Sequence, residues 1–272
     1  MNIYIDKLIE KIDIALKDIL NGYRGIIPDA LYEGMIYACF GGGKRIRPVL
    51  ALVTFESMLA PLTDELVSYA IALEMIHSYS LVHDDLPGMD NDLMRRGKPT
   101  VHVKFGQGMA ILIGDALLNT AYEIMNGAIK DARSSKACSY IMKKAGVCGM
   151  IAGQAKDITY RDEPIEEILK IYEYKTSALF QAAIVTPAIL LGKNKTELEL
   201  LEELGKNLGL IFQFKDDLSD INRCNEKLNT AKLSNKKTIE SLIMEHRHNG
   251  ELLLEKLNLN NTNLHKIINI YF

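Results

Sequence analysis

The chain has 272 residues and a net charge of −3, with close to half of its residues hydrophobic and a quarter charged. That length can bury a full core, and the absence of a basic stripe excludes a nucleic-acid binder. No basic-then-apolar leader opens it and no uncharged run of about 18 residues marks a membrane span, so a cytoplasmic protein is expected. Cys39, Cys138, Cys148 and Cys224 form no CxxC pair and read as reduced, mostly packed thiols. Nothing resembling a linker, low-complexity block or repeat divides the sequence, so one domain over 1–272 is expected.

In chain order, the first predicted element is a helix over Met1–Leu20. Its apolar residues Ile5, Leu8, Ile9, Ile12, Leu16 and Ile19 recur at helical spacing, and Asn21-Gly22 stops it. Gly41-Gly-Gly-Lys-Arg-Ile-Arg-Pro48 comes next. Three glycines let the backbone turn before a helix that Pro48 can begin. Lys44, Arg45 and Arg47 crowd that helix start, where the dipole favours anions; taken alone they read equally as a turn with solvated charges.

A long apolar helix, capped by Thr63 or Asp64, then runs to His83. His77 and Tyr79 lie on it and by residue type alone are core side chains. The helix closes on Asp84 and Asp85, Pro87-Gly88 break it, and Asp90 and Asp92 follow in the turn, with Arg95 and Arg96 directly after. Unpaired carboxylates at the end of so apolar a helix would cost several kcal/mol. A cation is therefore expected there. Carboxylates without nitrogen or sulfur ligands suit Mg²⁺, and adjacent arginines suit a diphosphate.

Turn residues fill 97–102, a helix is predicted over Met109–Asn126, and Gln154 and Asp157 share a face at i and i+3. Tyr174-Lys-Thr176 precedes a helix over Leu179–Leu191. After the apolar run Leu208–Phe212, Asp216 and Asp220 stand at i and i+4 on one helix face. The simplest geometry has the two acidic clusters facing one another across a single cavity. The tail from Asn249 to Phe272 reads as helix with no chemical signal.

Taken together these motifs resemble the trans-isoprenyl diphosphate synthases, the polyprenyl synthetase family, of the bacterial short-chain farnesyl type. Asp84-Asp-Leu-Pro-Gly-Met-Asp90 resembles the first aspartate-rich motif and Asp216-Asp-Leu-Ser-Asp220 the second. Gly42-Gly-Lys-Arg-Ile-Arg-Pro48, Glu74-Met-Ile-His77, Arg95-Arg-Gly-Lys-Pro-Thr-Val-His102, Gly153-Gln-Ala-Lys-Asp157 and Lys175-Thr176 follow the family pattern in order. Four departures stand out. Lys215 replaces a glutamine before Asp216, and Leu93 stands where the family often has aspartate. The Tyr-Pro after Thr238 is absent, and the loop before it looks short.

The resemblance implies an all-α, single-domain helical bundle with a central apolar cavity. It implies a transferase that condenses isopentenyl diphosphate with dimethylallyl or geranyl diphosphate to give farnesyl diphosphate and pyrophosphate. About three Mg²⁺ ions would bind through Asp84, Asp90, Asp216 and Asp220, with Asp85 in support. Lys44, Arg47, His77 and Arg96 would hold isopentenyl diphosphate. Arg95, Lys175 and a loop lysine (Lys236 first, Lys227 and Lys237 next) would hold the allylic diphosphate, with Gln154 beside the metal site. Thr176 and Gln213 would turn dipoles toward an allylic cation, and Tyr79 and Ser80 would set chain length. A homodimer is implied. Geranyl or geranylgeranyl products, a non-catalytic subunit of a heteromeric synthase, and a terpene cyclase are the alternatives; the last has no use for the Lys44–Arg47 anion grip.

Overall fold

The computed structural model describes residues 3–160, 164–219 and 236–272. The chain folds into two compact units, one of Met1–Leu52 with Leu62–Lys130 and one of Val53–Pro61 with Asp131–Phe272.

The first unit holds α1 (Ile3–Asn21), α2 (Asp29–Cys39), the start of α3 (Ile46–Ser57), α4 (Asp64–Asp84), a short hairpin of β1 (Met94–Arg95) and β2 (Lys98–Pro99), α5 (Val101–Phe105) and α6 (Gln107–Gly127). α4 is its axis. The Thr63 side chain accepts from the Leu66 amide to start it, and its buried residues from Leu66 to Val82 cover every face rather than one stripe. A helix apolar all round has to be surrounded, and α1, α2 and α6 pack against this one. α1 shows the opposite pattern, burying only Ile5, Leu8, Ile12, Leu16 and Leu20 on one face. α6 approaches most closely where it is smallest: a Cβ on Gly114 would lie 2.1 Å from His83 Nε2. Cys39 is enclosed here, and burial, then Glu74, pushes its thiol up to about 12; it is inert as a nucleophile.

The second unit holds α7 (Ala132–Ala145), α8 (Met150–Thr159), α9 (Ile165–Tyr172), α10 (Ala178–Leu190), α11 (Lys195–Ser219), α12 (Lys236–Lys256) and α13 (Asn263–Tyr271). α10 is buried from Ala178 to Ile189 and lies against α7 and α11. Gly205 and Gly209, one turn apart on α11, make that approach: Cβ atoms there would lie 2.6 Å from Gln181 Cα and 2.4 Å from Ser177 Cα. A capping box at Asp131 and Ser134 starts α7.

Two details differ from the sequence expectation. The helix ahead of α10 is a π turn over Glu173–Ser177. The tail is two helices, because Asn258 and Asn261 adopt left-handed φ of 55° and 67° between α12 and α13, a conformation asparagine tolerates. Among the described residues no helix is long and apolar enough to cross a membrane.

His246 on α12 hydrogen-bonds Asn207 Oδ1 at 2.7 Å. Burial, with Lys206 adding to it and Glu245 and Glu203 opposing, holds its pKa below the ordinary 6.5. The folded chain then binds fewer protons than the unfolded one just below that pH, so stability is lost as pH falls through about 6.5. His246→Gln keeps a partner for Asn207 and should flatten that part of the Tm–pH profile, as read by thermal melts across the range.

Candidate functional site

The acidic end of α4 sorts its aspartates by burial. Asp84 is the last helical residue and half-buried, while Asp85 is 2% exposed and caps the helix. Burial pushes the Asp85 carboxyl up, and Arg95 opposes that shift. Arg95 Nε donates to Asp85 Oδ2 at 2.9 Å and its Nη2 to Oδ1 at 2.6 Å, a bidentate pair. Beyond the Pro87-Gly88 break the chain folds back, the Asp90 amide donating to the Asp84 carbonyl at 2.9 Å, which leaves Asp90 exposed. The Thr100 hydroxyl pins the loop by donating to the Asp92 carbonyl at 2.8 Å.

The two adjacent arginines diverge because they flank a hairpin turn. Arg95 pairs with Lys98 in the ladder, and Arg96 and Gly97 take φ of 52° and 76°, the left-handed pair of a tight two-residue hairpin. Arg95 reaches Asp85; Arg96 Nη1 donates to the Gly42 carbonyl. This contact and the backbone conformation account for two of the three glycines. Gly42 and Gly43 have φ of 99° and 139°, and a Cβ on Gly43 would sit 2.7 Å from Arg96 Nη1.

The cations of the glycine turn also divide. Arg45 is 5% exposed, donates to Glu74 at 2.7 Å, to Asp13 at 2.8 Å and to the Cys39 carbonyl at 2.8 Å. It neutralises a carboxylate inside α4. Lys44 is exposed and Arg47 is buried. His77 has its pKa pushed well below the ordinary range by burial first and then by Arg47, Arg96, Arg95 and Arg45. Cations that lower a histidine in this way would also favour an anion bound near it. A cavity of about 50 Å³ between α2, the end of α4 and the hairpin is lined by Tyr37, Ser78, Asp85, Arg95, Arg96 and Thr100 among others, and His77 is not part of its lining. On α4, Ser80 donates to the His77 carbonyl at 2.9 Å, and the buried Tyr79 ring meets His83 edge-on at 5.8 Å.

In the second unit, Lys175 lies on the π turn and makes an ion pair with Asp157 of α8. The two elements touch because Gly153 has no side chain: a Cβ there would fall 2.2 Å from the Lys175 nitrogen. Next to it, both amide atoms of Gln154 are buried with no hydrogen-bond partner among the described residues, an arrangement that costs about 1–3 kcal/mol unless a ligand or water supplies one. Thr176 donates to Gln213 Oε1 at 2.7 Å, so these two predicted residues do meet. Asp216 is exposed at the end of α11. Lys215 donates to the Tyr271 carbonyl at the end of α13, 3.3 Å away, where the helix dipole favours a cation. Lys236 opens α12 and pairs with Glu240 at 3.7 Å. Asp220 and Lys227 lie outside the described residues.

Sequence reasoning missed three side chains. Arg45 and Glu74 form the buried pair just described, and Asp217 accepts from Tyr172 at 2.7 Å and from Gln213 at 3.0 Å. The signal for Asp217 lies in the sequence, since Gln213 and Asp217 are one helical turn apart.

A largely helical chain that sets two arginines of one hairpin against the carboxylate end of an apolar helix has the character of a diphosphate-handling helical enzyme. A sequence profile described as polyprenyl synthetase matches residues 28–267. The chain is 37% identical over 252 residues to a farnesyl diphosphate synthase of Micrococcus luteus, covering 90% of this chain and 86% of that one. It is 40% identical over 208 residues to a geranylgeranyl diphosphate synthase of Cyanophora paradoxa, covering 74% and 69%. The crystal structure of a geranyltranstransferase from Thermotoga maritima superposes with a TM-score of 0.86 at 30% identity, over 98% of this chain and 97% of that one. The chain belongs to the polyprenyl synthetase family.

Arg45→Met should cost about 3–5 kcal/mol by leaving Glu74 buried and unpaired, read by urea unfolding. Pairing it with Glu74→Met should recover most of that loss.

Proposed function

We propose that the chain is a short-chain trans-prenyltransferase that joins isopentenyl diphosphate to dimethylallyl or geranyl diphosphate, with farnesyl diphosphate as end product. The observation that carries this reading is geometric: Arg95 is held in a bidentate pair on Asp85 at the end of the apolar helix that bears His77, with Arg96 on the same hairpin and the half-buried Asp84 carboxylate beside that pair. Membership of the polyprenyl synthetase family, and a farnesyl diphosphate synthase relative spanning 90% of the chain, support the same chemistry.

Lys44, Arg47, His77 and Arg96 hold the diphosphate of isopentenyl diphosphate, His77 through its ring nitrogens. Arg95, Lys175 and Lys236 neutralise the allylic diphosphate as it leaves. The allylic C–O bond breaks and the diphosphate departs with the electron pair. The isopentenyl double bond attacks the resulting cation, a carbon–carbon bond forms, and a proton is lost to the departed diphosphate. Thr176 and Gln213 offer oxygen dipoles to the cation, and apolar walls exclude water. No side-chain nucleophile takes part.

Magnesium fits the residues available by donor type, although among the described residues no three acidic, histidine or cysteine side chains gather into a ready-made metal cluster. Asp84 and Asp90 in one unit and Asp216 in the other present half-buried or exposed carboxylate oxygens, the hard donors that ion prefers, and Asp220 adds another by sequence. When bound, it would neutralise charge on the diphosphate oxygens. We read the two units as one catalytic domain, as the profile match from 28 to 267 runs through both. A cytoplasmic homodimer is the form proposed, with the exposed Ile111 and Leu112 of α6 as candidate contacts.

A geranylgeranyl product is the second reading, favoured by the 40% identity to a geranylgeranyl diphosphate synthase. Tyr79, buried five residues ahead of Asp84, is the candidate tail stop. Incubating the purified chain with Mg²⁺, isopentenyl and dimethylallyl diphosphates should give farnesyl diphosphate by product chromatography, and Tyr79→Ala should lengthen the product. Asp84→Asn and Asp216→Asn should each lower kcat about 10³-fold, several kcal/mol, with little change in Tm. No turnover alone, but altered output when mixed with a second synthase, would instead identify a non-catalytic subunit.

A further inference from the structure

Resting on the prenyltransfer reading, we infer that Asp217 and Tyr172 are positioning residues: they lock the Gln213 amide so that the Thr176 hydroxyl presents only lone pairs to the reacting cation. One continuous chain of hydrogen bonds carries the inference. Tyr172, at the end of α9, donates to Asp217 Oδ2 at 2.7 Å, and Gln213 Nε2 donates to Asp217 Oδ1 at 3.0 Å. At the far end of the amide, Thr176 Oγ1 donates to Gln213 Oε1 at 2.7 Å.

The direction of each bond follows from the one before it. A carboxylate only accepts, so the Gln213 group facing Asp217 has to be its NH₂. The amide carbonyl is thereby turned to Thr176, whose single hydroxyl proton is consumed in reaching it. What remains on Thr176 Oγ1 is electron density. A hydroxyl left free to rotate could instead turn its proton toward a neighbouring cation and repel it. Asp217 is 2% exposed and Thr176 7%, so bulk water is shut out from replacing either end of the chain. Within such an enclosed network each bond polarises the next, and the charge on Asp217 reinforces the negative end of the Thr176 dipole. The π turn over Glu173–Ser177 sets Tyr172 and Thr176 on either side of this network.

Asp217→Asn is nearly isosteric yet removes the direction. Its amide has one oxygen for two incoming donors and no charge, so either Tyr172 reverses its hydroxyl to accept from the new NH₂ or the Gln213 amide flips, and in both cases the negative charge behind the Thr176 dipole is gone. We expect kcat to fall about 100-fold, the scale of one lost preorganised dipole, while KM for both diphosphates changes less than about 3-fold because Asp217 touches neither. Tyr172→Phe should give the same pattern more weakly. The decisive comparison is with Thr176→Val. If the residues act as one unit, the double variant Thr176→Val/Asp217→Asn is no slower than the slower single variant. The Gln213 side-chain NH₂ resonances, protected from exchange in the parent chain, should lose protection in Asp217→Asn, a readout independent of turnover.

Independent multiplicative losses in the double variant, or full kcat in Asp217→Asn with only a lowered Tm, would overturn the proposal and leave the prenyltransferase reading intact. A parent chain without turnover sinks both. Should Asp217→Asn fail to fold, Tyr172→Phe paired with Thr176→Val carries the same test.

Discussion

Charge buried inside helices that are apolar on every side is the constraint the first unit is arranged around. α4 has no solvated face to which Glu74 or Asp85 could turn, and a carboxylate left alone there would be far costlier than any packing gain. Each is met by an arginine from a distant segment: Arg45 from the glycine turn and Arg95 from the hairpin. Such pairs add little net stability over well-packed apolar residues. Their effect is positional. By holding Arg45, Glu74 fixes the turn that carries Lys44 and Arg47; by holding Arg95, Asp85 fixes the hairpin that carries Arg96. The candidate ligand groups of the proposed function are sequence neighbours of groups already committed inside.

That division is only half legible in the sequence. The stripe of α1, the all-round apolarity of α4, the caps and the order of the motifs follow from local pattern, and they say which elements carry the candidate residues. Which arginine takes the Glu74 carboxylate does not, because Arg45 and Arg47 are chemically alike and both are buried. Their fates depend on Glu74, a residue of another helix. The same holds for Arg95 and Arg96, separated by the hand of a two-residue turn. The π turn at Lys175 and Thr176 leaves no compositional trace, and the break between α12 and α13 is hidden by a run of Leu, Ile and Asn that keeps helical periodicity while its asparagines leave it. Asp217 escapes for a different reason: aspartates four apart on a helix signal a metal, whereas its own partner at that spacing is a glutamine.

The two aspartate doublets obey one rule, and it follows from helix geometry. Successive residues on a helix point about 100° apart, so adjacent carboxylates at a helix end are unable to share an environment. In each doublet the second member turns inward and is 2% exposed: Asp85 to Arg95, Asp217 to Tyr172 and Gln213. The first member, Asp84 or Asp216, is left half-buried or exposed. An Asp-Asp pair therefore need not mean two metal ligands. One carboxylate anchors the helix end and its neighbouring side chains in a fixed geometry, and its neighbour, the ligand group of the proposed function, is left in a position already set. Rigidity of this kind is what chemistry through dipoles and charge requires, since a reacting cation is stabilised only by groups that need not reorganise to face it.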